Sequence, residues 1–266
     1  MGFTGRVVCV TGASSGLGRA MAVEFARRGA AIGVLARRED RLRQLCGEVR
    51  SAGGQIEYAV ADAADRTAVH DGLRSLADRL GPCDVLVANA GVGASNTATD
   101  LDVPAAERVI RTNLLGPMYA IEAILPAMLA RGSGHLVGIS SAASFKGLPT
   151  AAAYCASKAG LSAYLESIRI SLRSKNIAVT TICPGFVKTE MTEKFDKMMW
   201  VLEADVAARK VVNAIERRRK VYWFPKRMRA LVWLTKWAPD WVMERAVPKG
   251  VGGPEPVPVS RPPRET

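Results

Sequence analysis

Arg6-Val-Val-Cys-Val-Thr11-Gly-Ala-Ser-Ser-Gly-Leu-Gly18 runs an apolar strand straight into a glycine-rich turn and then into a helix. An apolar run without polar alternation reads as a strand buried on both faces, as in a parallel sheet. Glycines 12, 16 and 18 let the chain turn tightly, let a pyrophosphate approach the backbone and let the helix pack close to the sheet. The start of that helix offers unpaired N–H groups to an anion. The junction therefore reads as a dinucleotide-binding turn.

Outward from this turn the same grammar repeats. Strands are expected at 6–11, 31–36, 56–60, 84–88, 135–140, 177–183 and 220–224, and helices at 16–29, 39–52, 66–80, 103–131, 152–174 and 204–219. Regular alternation of short apolar runs with helices predicts an α/β fold, a doubly wound parallel sheet in one domain over residues 1–224. Ligands of such sheets bind beyond the carboxyl ends of the strands. The irregular stretch 186–203, with Phe195, Met198, Met199 and Trp200, is expected to cover that edge. A basic, aromatic helical extension is expected at 225–247, and a disordered tail at 248–266, where six prolines and three glycines fall in nineteen residues.

Composition narrows the class. The 266 residues are 48% hydrophobic and 23% charged, enough for one large core and unlike a disordered chain. Five cysteines without a close pair, and only His70 and His135 as imidazoles, form no zinc or redox motif, so reduced thiols and no metal site are expected. Cys9 and Cys183 should be buried in strands. No apolar stretch approaches the about 20 residues of a spanning helix, and no secretory signal is recognisable, so a cytoplasmic chain is expected. The net charge of +12 is uneven: twelve basic and four acidic residues between Asp205 and Lys249 hold +8 of it.

Later motifs carry a resemblance. Asn89-Ala-Gly91 follows the fourth strand, Ser140-Ser141 the fifth, then come Tyr154-Cys-Ala-Ser-Lys158 and, after the sixth strand, Pro184-Gly-Phe-Val-Lys-Thr189. With three residues between Gly12 and Gly16, the chain resembles the short-chain dehydrogenase/reductase family over residues 5–224. The resemblance implies a Rossmann-type sheet, hydride transfer between a nicotinamide cofactor and an alcohol or ketone, and a homodimer or homotetramer.

Chemistry read from the residues agrees. Tyr154 and Lys158, four apart at the start of a helix, share one face, and an ammonium near a phenol is expected to lower the tyrosine below its usual value of about 10. A phenol so poised can exchange a proton with a carbonyl oxygen. Ser141 stands at the family's distance before Tyr154 for the hydroxyl that holds the substrate oxygen; Ser140, the neighbouring alternative, should point to the other face. The resemblance assigns Asn113 to a proton relay supporting Lys158, the alternative being a polar residue that satisfies a helix distortion. It also assigns Gly12, Ser14, Ser15, Gly16, Leu17, Gly18, Arg37, Arg38, Asp62, Ala63, Asn89, Ala90, Gly91, Tyr154, Lys158, Pro184, Gly185, Val187 and Thr189 to the cofactor. Asp62 would hold the adenine amino group or else cap the next helix. Asn89 would steady the sheet.

Cofactor choice is expected at the end of the second strand, Val34-Leu-Ala-Arg-Arg38, where an arginine suits a 2′-phosphate and a carboxylate a 2′-hydroxyl. Arg37 stands where NAD-type members carry aspartate, which favours NADP. Ser15 departs from the basic residue of many NADP-dependent relatives, so the clamp leans on Arg37 with Ser14 and Arg38, unless these arginines are plain surface charges. Four of the five tryptophans (223, 233, 237, 241) lie among cations near the C-terminus. They suit peripheral contact with an anionic membrane, a subunit contact or closure over a lipophilic substrate. Nucleic acid is not expected, since no binding module accompanies the charge. Two other functions fit the same residues: a reductase of carrier-linked β-ketoacyl thioesters, and a non-catalytic NADP-binding regulator.

Overall fold

A computed structural model describes residues 2–94, 101–192 and 200–225, with Arg227, Met228, Trp241 and Arg245. The element order is β1 (Val7–Thr11), α1 (Gly16–Arg27), β2 (Ala31–Ala36), α2 (Glu39–Ser51), β3 (Ile56–Val60), α3 (Arg66–Leu80), β4 (Val85–Ala88), α4 (Val103–Ile110), α5 (Gly116–Arg131), β5 (Gly134–Ile139), α6 (Ala152–Ser171), β6 (Ile177–Pro184), α7 (Ala204–Glu216) and β7 (Val221–Phe224). The strands pair in parallel in the order β3-β2-β1-β4-β5-β6-β7, the doubly wound sheet expected. The direction of winding reverses between β1 and β4, which opens a crevice beyond their carboxyl ends.

Side-chain alternation explains why both faces need cover. Val8 and Val10 of β1 join Val85, Val87, Val137 and Ile182 in a core against α1, α2 and α7. Val7 and Cys9, one residue out of phase, join Leu86, Leu136 and Val179 against α3, α5 and α6. Cys9 and Cys183 are buried in β1 and β6, and all five cysteines are free thiols.

Between α4 and α5 the helix continues through a π-helical turn, Arg111–Leu115. Pro117 has no N–H to give the carbonyl of residue 113, so the regular i→i−4 ladder cannot be completed there, and the chain widens around Asn113. The whole run Val103–Arg131 is 29 residues long and, by length and composition, apolar enough to cross a membrane. That corrects the expectation of no such stretch, which weighed consecutive apolar residues and missed an apolar set interrupted by Arg111 and Asn113. Its Ala120, Ile121, Ile124 and Met128 pack against Leu73 and Leu76 of α3 and Leu161 and Leu165 of α6.

The run Arg217-Arg218-Arg219-Lys220 is exposed in the turn from α7 into β7. Since β7 is parallel to its neighbours, this turn lies at the edge of the sheet opposite the carboxyl ends. Part of the C-terminal charge excess is therefore remote from the crevice. The tail at 248–266 and most of the extension at 225–247 lie outside the described residues, as do Phe195, Met198 and Met199.

Candidate active site

The floor of the crevice is built by close approach of backbones. A Cβ on Gly12, whose φ is +70°, would lie 2.6 Å from the Cα of Ala90, and one on Gly18 would lie 2.3 Å from the Gly12 carbonyl oxygen. Asn89 donates through Nδ2 to the carbonyls of Thr11 (3.0 Å) and Gly12 (3.2 Å), while the Thr11 hydroxyl accepts from the N–H groups of Asn89 and Ala90 (3.1 Å each). The ends of β1 and β4 are thus tied together beneath the turn. Gly18→Ala tests this contact: alanine is normally about 1 kcal/mol better than glycine in a helix, yet here overpacking is expected to destabilise by about 1–3 kcal/mol in urea unfolding.

Four polar side chains converge beside this floor. Lys158 is buried on α6, and its Nζ donates to the Ile139 carbonyl at 2.8 Å and stands 5.8 Å from the Tyr154 ring centroid. Asn113, fully buried in the π-turn, accepts through Oδ1 from the Val92 N–H (2.8 Å) and donates through Nδ2 to the Val92 carbonyl (2.9 Å) and to Ser157 Oγ (3.2 Å). Its side chain thus bonds the loop after β4 and helix α6, and none of these partners lies in its own π-turn. A Cβ on Gly91 would come within 3.3 Å of Asn113 Oδ1 and 3.5 Å of Lys158 Nζ. That cradle leaves room for a ligand against two buried polar groups.

The two serines divide as alternation requires. Ser140 is buried, donates to the Lys158 carbonyl (2.9 Å) and shares a hydrogen bond with Ser162 (2.7 Å), so it braces α6. Ser141 begins the short turn Ala142–Ser144; its Oγ accepts from the Ala143 N–H (3.1 Å), and its hydroxyl favours proton loss from the Tyr154 phenol.

The expected lowering of Tyr154 is not what the structure gives. Burial pushes the phenol above its ordinary value, and the nearby Ser141 hydroxyl only partly opposes this. The ammonium sits by the ring and the Ile139 carbonyl instead of acting on the phenol oxygen, and burial brings Lys158 itself down to about 8. Lys158 is the group whose proton is poised near neutrality.

At the adenosine end the arginines exchange emphasis. Arg38, not Arg37, lies over the turn: Nη2 donates to Ser15 Oγ (2.7 Å) and Ser14 Oγ (3.1 Å), Nε to Ser14 Oγ (3.2 Å) and Nη1 to Glu190 (2.9 Å). Arg37 extends toward Asp62, 3.6 Å away. Asp62 accepts from the Ala64 N–H (2.9 Å) beside buried Ala63, and the cap of α3 is Asp65. Helix α1 has no acidic residue in its first turn and no side chain capping it, so its positive end faces the crevice. Leu17 packs at its start against the core.

Beyond β6, the Gly185 N–H donates to the Phe224 carbonyl (2.7 Å), Val187 bridges to Leu202, and the methyl of Thr189 lies 3.0 Å from where a Cβ of Gly16 would be. Of this stretch, Thr189 is the residue brought against the glycine turn, while Gly185 and Val187 tie it to Phe224 and Leu202. Glycine cradle, open helix end, Arg38 and the buried Lys158–Asn113 pair together suit a dinucleotide. Among the described residues no three His, Cys, Asp or Glu side chains gather to hold a metal. His70 pairs with Glu122 at the surface, whereas His135 is buried against Thr180 and pushed down to about 3. Sequence reading missed Ser157, Ser162 and Glu190; Pro117 was the available signal for the π-turn.

The profile described as short chain dehydrogenase matches residues 6–200. The chain belongs to the short-chain dehydrogenase family. An uncharacterized oxidoreductase of Myxococcus xanthus is 44% identical over 187 residues, 70% of this chain and 74% of its own. A short-chain dehydrogenase/reductase of Burkholderia phymatum, solved with NAD, has the same fold, with a TM-score of 0.80 at 24% identity over 88% of this chain and 94% of its own. A variant of actinorhodin polyketide ketoreductase, solved with NADPH, superposes with a TM-score of 0.76 at 27% identity over 82% of this chain and 95% of its own. This short-chain dehydrogenase is thus an oxidoreductase by family, and both nicotinamide cofactors occur among the folds it resembles.

Proposed function

We propose that the protein is an NADP(H)-dependent oxidoreductase that interconverts a lipophilic ketone and its secondary alcohol. The observation that carries this reading is the gathering of Ser141 and Tyr154 at the strand ends, with the buried Lys158 ammonium beneath the tyrosine ring. A bound nicotinamide supplies or accepts the hydride. The protein's own part is the proton. Ser141 Oγ accepts from the Ala143 N–H, so its hydroxyl hydrogen is left to donate to the substrate oxygen. Tyr154 Oη gives that oxygen its proton during reduction and takes it back during oxidation. Lys158, with a value of about 8, keeps a cation beneath the Tyr154 ring and can itself release or regain a proton near neutral pH. Asn113 holds the Val92 backbone and Ser157 in place around it.

The cofactor would lie on Gly12, Gly16, Gly18, Ala90 and Gly91, its adenosine end toward Arg37, Arg38 and Asp62. Two arginines at the end of β2 support NADP(H). Arg37→Asp is expected to weaken NADPH relative to NADH by about tenfold, near the worth of one charge-assisted hydrogen bond. Fluorescence titration of both cofactors checks this; an unchanged ratio makes Arg37 a surface charge.

Exposed apolar side chains on the segments that follow the strands support a lipophilic substrate: Leu101 and Val103 after β4, Leu148 after β5, and Phe186, Trp200 and Val201 after β6. The likeness to a polyketide ketoreductase favours a second reading, reduction of carrier-linked β-ketoacyl thioesters. NADPH oxidation over a panel of ketones, aldehydes and β-ketoacyl thioesters separates the two, and turnover on any of them removes the reading as a non-catalytic regulator. The same proposal takes the protein as a cytoplasmic homodimer or homotetramer, with exposed Leu129 on α5 and Ile170 on α6 as side chains that self-association would cover. Peripheral membrane contact through 225–247 is the remaining part, read out by sedimentation with anionic vesicles.

A further inference from the structure

We infer that Glu190 is an internal anion that competes with the 2′-phosphate of NADP(H) for Arg38, and so sets how strongly the enzyme discriminates NADPH from NADH. The inference rests on the NADP(H) reading above. Arg38 is engaged on all three guanidinium nitrogens by groups from two other parts of the chain. Nε and Nη2 donate to the hydroxyls of Ser14 and Ser15 in the turn before α1, while Nη1 donates to Glu190 Oε2, 2.9 Å away in the stretch after β6. The hydroxyls are neutral; the carboxylate is an anion already seated on the guanidinium.

A phosphate approaching the same guanidinium also meets the positive end of α1, so the place suits an anion. Phosphate and carboxylate on one guanidinium repel each other, and two-point capture through Nη1 and Nη2 would use the donor that Glu190 holds. Whichever edge of the guanidinium the phosphate takes, it meets the charge of Glu190 when NADPH binds. NADH brings only a hydroxyl and makes no such demand.

Glu190 is held near this position by its neighbours. The Thr192 hydroxyl accepts from the Thr189 N–H (2.9 Å) and donates to the Val187 carbonyl (2.7 Å), closing a turn around it, and the Thr189 methyl abuts Gly16. The Arg38 and Glu190 side chains are 43% and 48% exposed, so water screens the pair and its influence on affinity is modest.

The test is isothermal titration of the full chain with NADPH, NADH and adenosine 2′,5′-bisphosphate, using wild type, E190Q, R38A and the double variant. Removing the carboxylate's charge is expected to tighten NADPH and the bisphosphate about three- to fivefold, the upper range for an exposed ion pair. NADH should stay unchanged, and the gain should vanish in the R38A background. NADPH affinity unchanged or weakened by E190Q overturns the inference, since Glu190 would then only steady Arg38. Equal tightening of both cofactors overturns it too. Should wild type bind NADPH no better than NADH and ignore the bisphosphate, the NADP(H) reading fails and takes the inference with it. Clear NADPH preference without a response to E190Q sinks the inference alone.

Discussion

Replacing Tyr154 with phenylalanine is expected to lower carbonyl reduction by about 100-fold or more, the usual loss on removing a general acid, while NADPH still binds. The ring keeps its place at the start of α6, and only the hydroxyl is gone. Because burial already raises the phenol, the neutral form is the one present at pH 7, and deleting its oxygen removes little folding energy. Steady-state reduction of a matched ketone, beside cofactor titration, provides the measurement. Turnover within tenfold of wild type would move the acid to another residue.

Lys158→Met carries the second large effect, and its two readouts run in opposite directions. Activity should fall by about 100-fold or more, since the Tyr154 ring no longer has a cation beneath it. Stability at pH 7 should rise. Burial lowers the ammonium from 10.5 to about 8, a penalty of about 3 kcal/mol for keeping it charged in the fold. The bond to the Ile139 carbonyl returns about 1–2 kcal/mol of that, which leaves methionine ahead by about 1–2 kcal/mol. Between about pH 8 and 10.5 the folded lysine has lost its proton while the unfolded one keeps it. The unfolded state then binds more protons, so wild-type stability climbs with pH and the advantage of methionine shrinks. Thermal melts at pH 7 and pH 10 follow this difference. A variant that melts lower than wild type at both pH values would show the buried charge to be no burden on the fold.

Residues within a few positions of one another made much of the site legible. Strand, glycine turn and helix at 6–18 announce a βαβ unit because each step is local: an apolar run, a turn needing residues without side chains, a helix start. Tyr154 and Lys158 come onto one face because helical spacing puts them there, and Ser140 and Ser141 part because successive strand residues point to opposite sides. Pro117 marked the π-turn by a missing N–H and could have been read the same way.

What the sequence by itself determined is therefore the order of strands and helices, the cofactor turn, and the identity of the serine, tyrosine and lysine that gather at the strand ends. Tertiary structure alone decided which arginine lies over the turn, because Arg38 is chosen by Ser14, Ser15 and Glu190, the last of them 152 positions away. It decided that Tyr154 is raised and Lys158 lowered, because burial depends on what the other strands and helices exclude from water. It also decided that Arg217 to Lys220 face away from the crevice, because the direction of β7 is set by its pairing with β6. Spacing along the chain fixes local geometry through short hydrogen-bonded and steric ranges; charge partners and desolvation are properties of neighbours that only the assembled sheet brings together.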